Sequence, residues 1–113
     1  MLELKIHNKQ FITTGNESGL SSEETIFYYF EKDNIVSGSY KGGAIVEGQI
    51  VGKRIGNNLE LLFQSITIDG ELKSGQSVGV ISKNEAGKIT LSFEWKWLNG
   101  DLSGGVSFYI EKE

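Results

Sequence analysis

Apolar and polar residues alternate most regularly between residues 88 and 97. One face of this segment carries five apolar side chains, namely Ile89, Leu91, Phe93, Trp95 and Trp97, and the intervening residues are polar or charged. Successive side chains of a β-strand point to opposite faces, so the pattern predicts a strand with one buried and one wet side.

The final segment, residues 106–111, alternates in the same way. Val106, Phe108 and Ile110 form its apolar set. They are expected on the buried face, which places Tyr109 on the outer face of the predicted strand.

Earlier segments repeat the period of two, and the 3.6-residue period of a helix is nearly absent. Strands are predicted at residues 2–6, 11–13, 24–31, 35–40, 44–52, 59–67 and 72–82. Within residues 44–52, Ala44 and Val46 share a face with Ile50. The spacers are rich in Gly, Asn and Asp, which adopt the positive φ angles of tight hairpin turns, and the first spacer contains His7.

About eight short antiparallel strands in 113 residues predict an all-β single domain spanning residues 1–113. A sheet of that size exposes two edges unless it closes, and evenly spaced glycines such as Gly75 and Gly79 fit strongly bent strands. We therefore predict a small up-and-down barrel of about eight strands, with a β-sandwich as the alternative.

Composition and charge narrow the function classes. The chain has no cysteine, one histidine and a net charge of −4, so thiolate metal sites are excluded and the phosphate backbone of nucleic acid is not an expected partner. No signal peptide and no apolar stretch of membrane-spanning length occurs, which predicts a cytoplasmic protein without a membrane partner. No metal site and no cofactor is predicted.

Neither the acids nor the histidine predicts catalysis. Glu60 and Glu94 fall on the polar faces of their strands and are expected to point to water, so a catalytic carboxylate pair is not predicted. His7 alone provides neither a set of metal ligands nor a catalytic triad. We predict no catalytic residue.

The aromatic residues are the strongest candidates for a binding role. An eight-stranded barrel is just wide enough to be packed solid or to hold one small ligand. In the ligand hypothesis, an apolar interior opens at the end that carries residues 99–104 and is lined by Phe63, Phe93, Trp95 and Trp97. In the interaction hypothesis, Tyr28 and Tyr109 point outward and form a contact patch for a protein partner.

Several segments together resemble a known group of proteins. They are Gly-Ser-Tyr-Lys-Gly-Gly at residues 38–43, Asp-Gly-Glu-Leu-Lys-Ser-Gly at 69–75 and Glu-Trp-Lys-Trp-Leu-Asn-Gly-Asp at 94–101. In these segments the chain is similar to short bacterial proteins often labelled N-acetylglutamate synthase, which implies an acetyltransferase. The meander pattern and residues 36–40 also resemble the streptavidin and lipocalin-like barrels, which implies a fold and not a function.

The acetyltransferase pattern is incomplete in this chain. Those enzymes hold acetyl-CoA with an Arg/Gln-x-x-Gly-x-Gly/Ala turn that leads into a helix, and residues 54–58 and 76–79 do not complete it. Our primary hypothesis is a non-enzymatic β-barrel module that binds a small apolar or aromatic ligand or a protein. The alternative is an N-acetylglutamate synthase-type acetyltransferase.

Overall fold

The computed structural model describes residues 4–16 and 24–112, and within these ranges it is a closed antiparallel barrel. Each strand pairs with its neighbours in sequence, and the first strand pairs with the last. The up-and-down barrel predicted from the alternation is confirmed. The strands are β1 (Lys9–Asn16), β2 (Ile26–Lys32), β3 (Ile35–Gly42), β4 (Ile45–Ile55), β5 (Asn58–Thr67), β6 (Leu72–Lys83), β7 (Ile89–Trp97) and β8 (Gly104–Glu111).

The connections divide between the two ends of the barrel. We call the end with the turns at residues 43–44, 68–71 and 98–103 the upper end, and the end with the turns at 33–34, 56–57 and 84–88 the lower end. Asp33 and Asn34 both have positive φ, as a two-residue hairpin turn requires. The segment between β1 and β2 falls mostly in residues 17–23, outside the described residues.

The predicted N-terminal strand is wrong over its described part. Residues 4–6 are not in a strand, and Ile6 is instead fully buried in the core at the lower end. The physical reason is closure: β1 already pairs with β2 on one side and β8 on the other, so no edge remains for a further strand.

Three register shifts interrupt the strand pairing, including one between Tyr40 and Gly42, and they alter the alternation that the sequence suggests. The register between β4 and β5 shifts between Ile45 and Glu47. As a result Ile45 is buried and Val46 is exposed, although Val46 was expected to share the face of the buried Ile50. A second shift lies between Thr13 and Gly15 in β1.

Two glycines of β6 make room for aromatic rings of neighbouring strands. Phe63 of β5 pairs with Gly75, and Phe93 of β7 pairs with Gly79. A β-carbon at either glycine would collide with the partner's ring. The evenly spaced glycines therefore let bulky rings lie flat against the inner wall of the barrel.

Candidate functional site

The lower half of the barrel is packed solid. Phe11, Val36, Leu59, Ile81 and Leu91 are all at most 2% exposed. Side chains of that size and burial fill an eight-stranded barrel, so a ligand has no room in this half.

Two ion pairs lie at the lower end. Arg54 is 3% exposed, and its Nη1 lies 2.9 Å from Glu31 Oε1. The same guanidinium donates to the Gly56 carbonyl oxygen at 2.7 Å. Lys9 and Glu111 form the second pair at 3.0 Å. The burial of Arg54 was not predicted from the sequence. Its position in the alternation, four residues after the inward-facing Ile50, was a signal that its side chain points inward.

A cavity lies in the upper half, and its volume is about 60 Å³. At 10–15 Å³ for each water-sized sphere, this is room for about four water molecules. Aromatic and aliphatic side chains line most of it, together with serine and tyrosine hydroxyls. The lining residues are Phe27, Tyr29, Tyr40, Ile45, Ile50, Leu61, Phe63, Ser65, Ser77, Phe93, Trp95, Trp97, Ser107 and Tyr109.

No charged side chain belongs to this lining. Burying a charged ligand group there without a partner would carry a large desolvation cost. The cavity therefore suits a molecule, or part of one, that carries no charge.

The aromatic residues form a connected wall. The Trp95 and Trp97 rings lie 5.2 Å apart between centroids, and the Phe63 ring meets Trp97 edge-on at 5.6 Å. Further along the same strand, the Phe93 ring lies 5.8 Å from the ring of Tyr109 on the adjacent strand β8. Edge-to-face and tilted contacts of this kind hold rings in fixed orientations, so the wall is a preformed surface for a flat ligand.

Six of the lining residues carry hydroxyl groups, and Ser107, Ser65 and Tyr40 are three of them. Ser107 Oγ accepts a hydrogen bond from Trp95 Nε1 at 2.8 Å. Ser65 Oγ is buried and, among the described residues, has no hydrogen-bond partner of regular geometry. Burial raises the pKa of Tyr40 to about 12; a hydrogen-bonding contact with the Ser65 hydroxyl, which falls outside regular geometry, opposes this shift and Tyr109 adds to it. Tyr40 is therefore a neutral phenol at physiological pH.

The four predicted ligand-binding residues lie together. Phe63, Phe93, Trp95 and Trp97 all line the cavity, which occupies the half of the barrel that includes residues 98–103. Their role in binding stays a prediction, and so does the opening of the cavity at that end. The interior is neither fully solid nor widely hollow.

The predicted outer patch is not formed. Tyr28 does point outward, because it alternates with the buried Phe27 and Tyr29. The outward placement of Tyr109 is wrong: Tyr109 pairs with Leu91, which points inward, and directly paired residues share a face. Phe108 is correspondingly 49% exposed instead of buried.

Polar candidates from the sequence lie away from the cavity. Glu60 and Glu94 are exposed on the outer face, as predicted. His7 is exposed at the lower end, where its Nδ1 accepts the Glu31 amide at 3.0 Å. Within residues 4–16 and 24–112, no three His, Cys, Asp or Glu side chains are grouped so as to hold a metal ion.

Comparison with known proteins identifies the family. A family model described as avidin-like protein matches residues 4–112, almost the whole chain. The chain belongs to the avidin-like family. This family consists of small non-enzymatic barrels that bind small ligands such as biotin. The chain is not matched by any curated protein.

A solved structure supports the avidin-like fold. A crystal structure of apo shwanavidin superposes with a TM-score of 0.66 at 12% sequence identity, covering 99% of this chain and 100% of that one. At this identity the likeness concerns the fold alone. Neither comparison supports the acetyltransferase alternative.

No helix in the described part of this avidin-like chain is long and apolar enough to cross a membrane. The cytoplasmic location stays a prediction.

Proposed function

We propose that this avidin-like barrel binds a small molecule whose buried part is uncharged, inside the cavity of its upper half. The observation that carries the proposal is the pairing of an aromatic wall with the buried Ser65 hydroxyl, which has no regular partner among the described residues. A buried hydroxyl without a hydrogen bond costs about 1–3 kcal/mol, and a ligand that supplies the bond recovers part of that cost.

The wall and the hydroxyl divide the recognition between them. Trp95, Trp97 and Phe63 offer ring faces and edges for a flat apolar group. Ser65 and Tyr40 offer donors and acceptors for one polar group. Apolar lining with a few placed polar groups is the usual composition of a small-molecule site.

Size limits the ligand. A volume of about 60 Å³ is less than half of the roughly 150 Å³ of an apolar cavity that holds a benzene ring, so it accepts a short chain or the edge of a ring without rearrangement. A whole phenyl ring requires lining side chains to move, and a bicyclic ligand such as biotin requires a larger movement. Biotin is nevertheless a necessary test ligand, because the family binds it.

The test is a titration with two probes, benzyl alcohol and biotin, followed by tryptophan emission and by calorimetry. Ser77 lines the cavity, so Ser77→Leu fills the space without removing any aromatic ring. Ser37 is exposed on β3, and Ser37→Leu makes the same change on the outer face as a matched control.

We expect at least one probe to shift the emission and release heat with the unmodified chain and with Ser37→Leu, and to do neither with Ser77→Leu. Equal binding by both variants would place the ligand outside the cavity. The absence of any binding by the unmodified, folded chain would overturn the proposal.

Binding of a protein partner through Tyr28 and Tyr109 stays a prediction, and no contact among the described residues supports it. Tyr28 is the only member of the predicted patch that points outward, and its cross-strand neighbours Gln10 and Ser39 are polar. A polar row with a single aromatic residue lacks the apolar centre of a stable interface.

A further inference from the structure

One charged residue occupies an inward position at the upper end of the barrel. In β6, Gly75, Ser77 and Ile81 are buried and point inward. Lys73, near the start of the same strand, lies two residues before Gly75 and therefore on the same inward face. Its side chain is half-buried, and Nζ lies 4.8 Å from the centre of the Trp97 ring. The ammonium group is therefore held against the aromatic wall of the cavity.

The register places Lys73 in line with the polar side of the cavity. Lys73 pairs with Ser65, Ser65 with Gly48, and Gly48 with Tyr40. One row thus carries an ammonium group and two hydroxyls. A ligand that turns its polar atoms toward Ser65 and Tyr40 also turns them toward Lys73.

The two ends of the barrel differ in how their inward charges are balanced. At the lower end, Arg54 is paired with Glu31 and Lys9 with Glu111. In the described part of the chain, Lys73 forms no ion pair within 4 Å.

Asp101 is the acidic group that acts on Lys73 from the adjoining turn, but its Oδ1 accepts the Ser103 amide at 3.0 Å. Among the described residues, no carboxylate is therefore paired directly with the Lys73 ammonium group.

We propose that Lys73 is a specificity-determining residue that selects ligands carrying a carboxylate next to a small uncharged body. The body occupies the cavity, and the carboxylate lies at the upper end against the Lys73 ammonium group and within reach of the Ser65 row. This inference rests on the proposed function, because it concerns the same cavity.

A matched pair of probes isolates the charge. Phenylacetate and phenylacetamide have the same ring and nearly the same shape, and only the first is an anion. The unmodified chain is expected to bind phenylacetate about threefold to tenfold more tightly than phenylacetamide. This range lies between the effect of an exposed ion pair and that of a buried charged hydrogen bond.

Two lysine variants test which residue supplies the preference. Lys73→Met removes the charge and keeps most of the side-chain length, so the acid and the amide should bind equally. Lys96 is exposed on the outward face of β7, and Lys96→Met changes the net charge identically while keeping the preference. Circular dichroism checks that both variants fold.

A third variant should increase the preference for the acid over the amide. Asp101→Asn retains the oxygen that accepts the Ser103 amide and removes a carboxylate that interacts electrostatically with Lys73. Phenylacetate should then bind about twofold more tightly, and phenylacetamide should bind as before. Raising the ionic strength should weaken the binding of phenylacetate and leave the binding of phenylacetamide unchanged.

The outcomes separate the two proposals. Equal binding of acid and amide by the unmodified chain, or a preference that survives Lys73→Met, overturns the role of Lys73 and leaves the cavity proposal standing. If neither probe binds the folded chain, both proposals fail for ligands of this class.

Discussion

Replacing Ser65 with alanine should stabilise this protein. Ser65 is 6% exposed, and its hydroxyl has no regular hydrogen-bond partner among the described residues. In the unfolded chain the same hydroxyl is hydrated, so folding loses a bond to water that the barrel replaces only with an irregular contact to Tyr40. Removing such a group should raise the free energy of unfolding by about 1 kcal/mol.

Ser107→Ala is the matched control with the opposite sign. Ser107 is 1% exposed, and its Oγ accepts the Trp95 indole N–H at 2.8 Å. Alanine at residue 107 leaves that buried donor without its partner. The free energy of unfolding should fall by about 1–3 kcal/mol.

Urea unfolding followed by circular dichroism measures both changes at once. A change of 1 kcal/mol in a domain of this size also moves the melting temperature by about 3–6 °C, which calorimetry resolves. If Ser65→Ala loses as much stability as Ser107→Ala, the Ser65 hydroxyl is bonded in the folded state. A ligand would then not be needed to supply a hydrogen-bond partner for Ser65.

Three further predictions follow from packing and charge. Gly79→Ala pushes a methyl group into the Phe93 ring and against the Ser92 carbonyl oxygen, and it should cost about 1–3 kcal/mol in urea unfolding. Adding Phe93→Leu relieves the ring contact only, so it should recover part of the loss, and a double variant that recovers nothing would contradict the ring packing. Arg54→Met leaves the largely buried Glu31 carboxylate unpaired and should lower the free energy of unfolding by about 3 kcal/mol. Lys53→Met breaks the exposed pair with Glu60 and should lower it by less than about 1 kcal/mol, and similar losses in the two variants would contradict this difference. Burial raises the pKa of Tyr40 from 10.0 to about 12, so its neutral phenol contributes fully to the free energy of unfolding below pH 10. That free energy should fall by about 2–3 kcal/mol as the pH rises to 12. Tyr40→Phe should remove this part of the fall, and an unchanged pH profile in the variant would contradict the assignment.

The alternation of apolar and polar residues was sufficient to predict the barrel and most of its inner wall. Phe93, Trp95 and Trp97 alternate with polar residues, so only one face of their strand could be buried. The evenly spaced glycines were expected at bends, which stays a prediction; the structure shows that Gly75 and Gly79 make room for the Phe63 and Phe93 rings.

The misplaced residues share a physical cause. In β8 the larger apolar set, which includes Phe108, points outward, because the inner face is supplied by smaller or polar residues such as Ser107. Periodicity reveals that two faces exist, but it does not say which one is inside. Tyr109 was therefore assigned to the wrong face.

Buried polar groups were missed for a related reason. Arg54 and Ser65 occupy inward positions in their strands, but charge and polarity alone predict exposure. The burial of Arg54 depends on a partner distant in sequence, Glu31. Register between strands, which composition does not reveal, brings those partners together.

The central claim is that the upper half of this avidin-like barrel receives a ligand. A crystal structure of the protein grown with phenylacetate tests it most directly. The account predicts the phenyl ring inside the cavity among Trp95, Trp97 and Phe63, with the carboxylate near Lys73. Phenylacetate bound only on the outer surface of the barrel, with the cavity closed by the protein's own side chains, would contradict it.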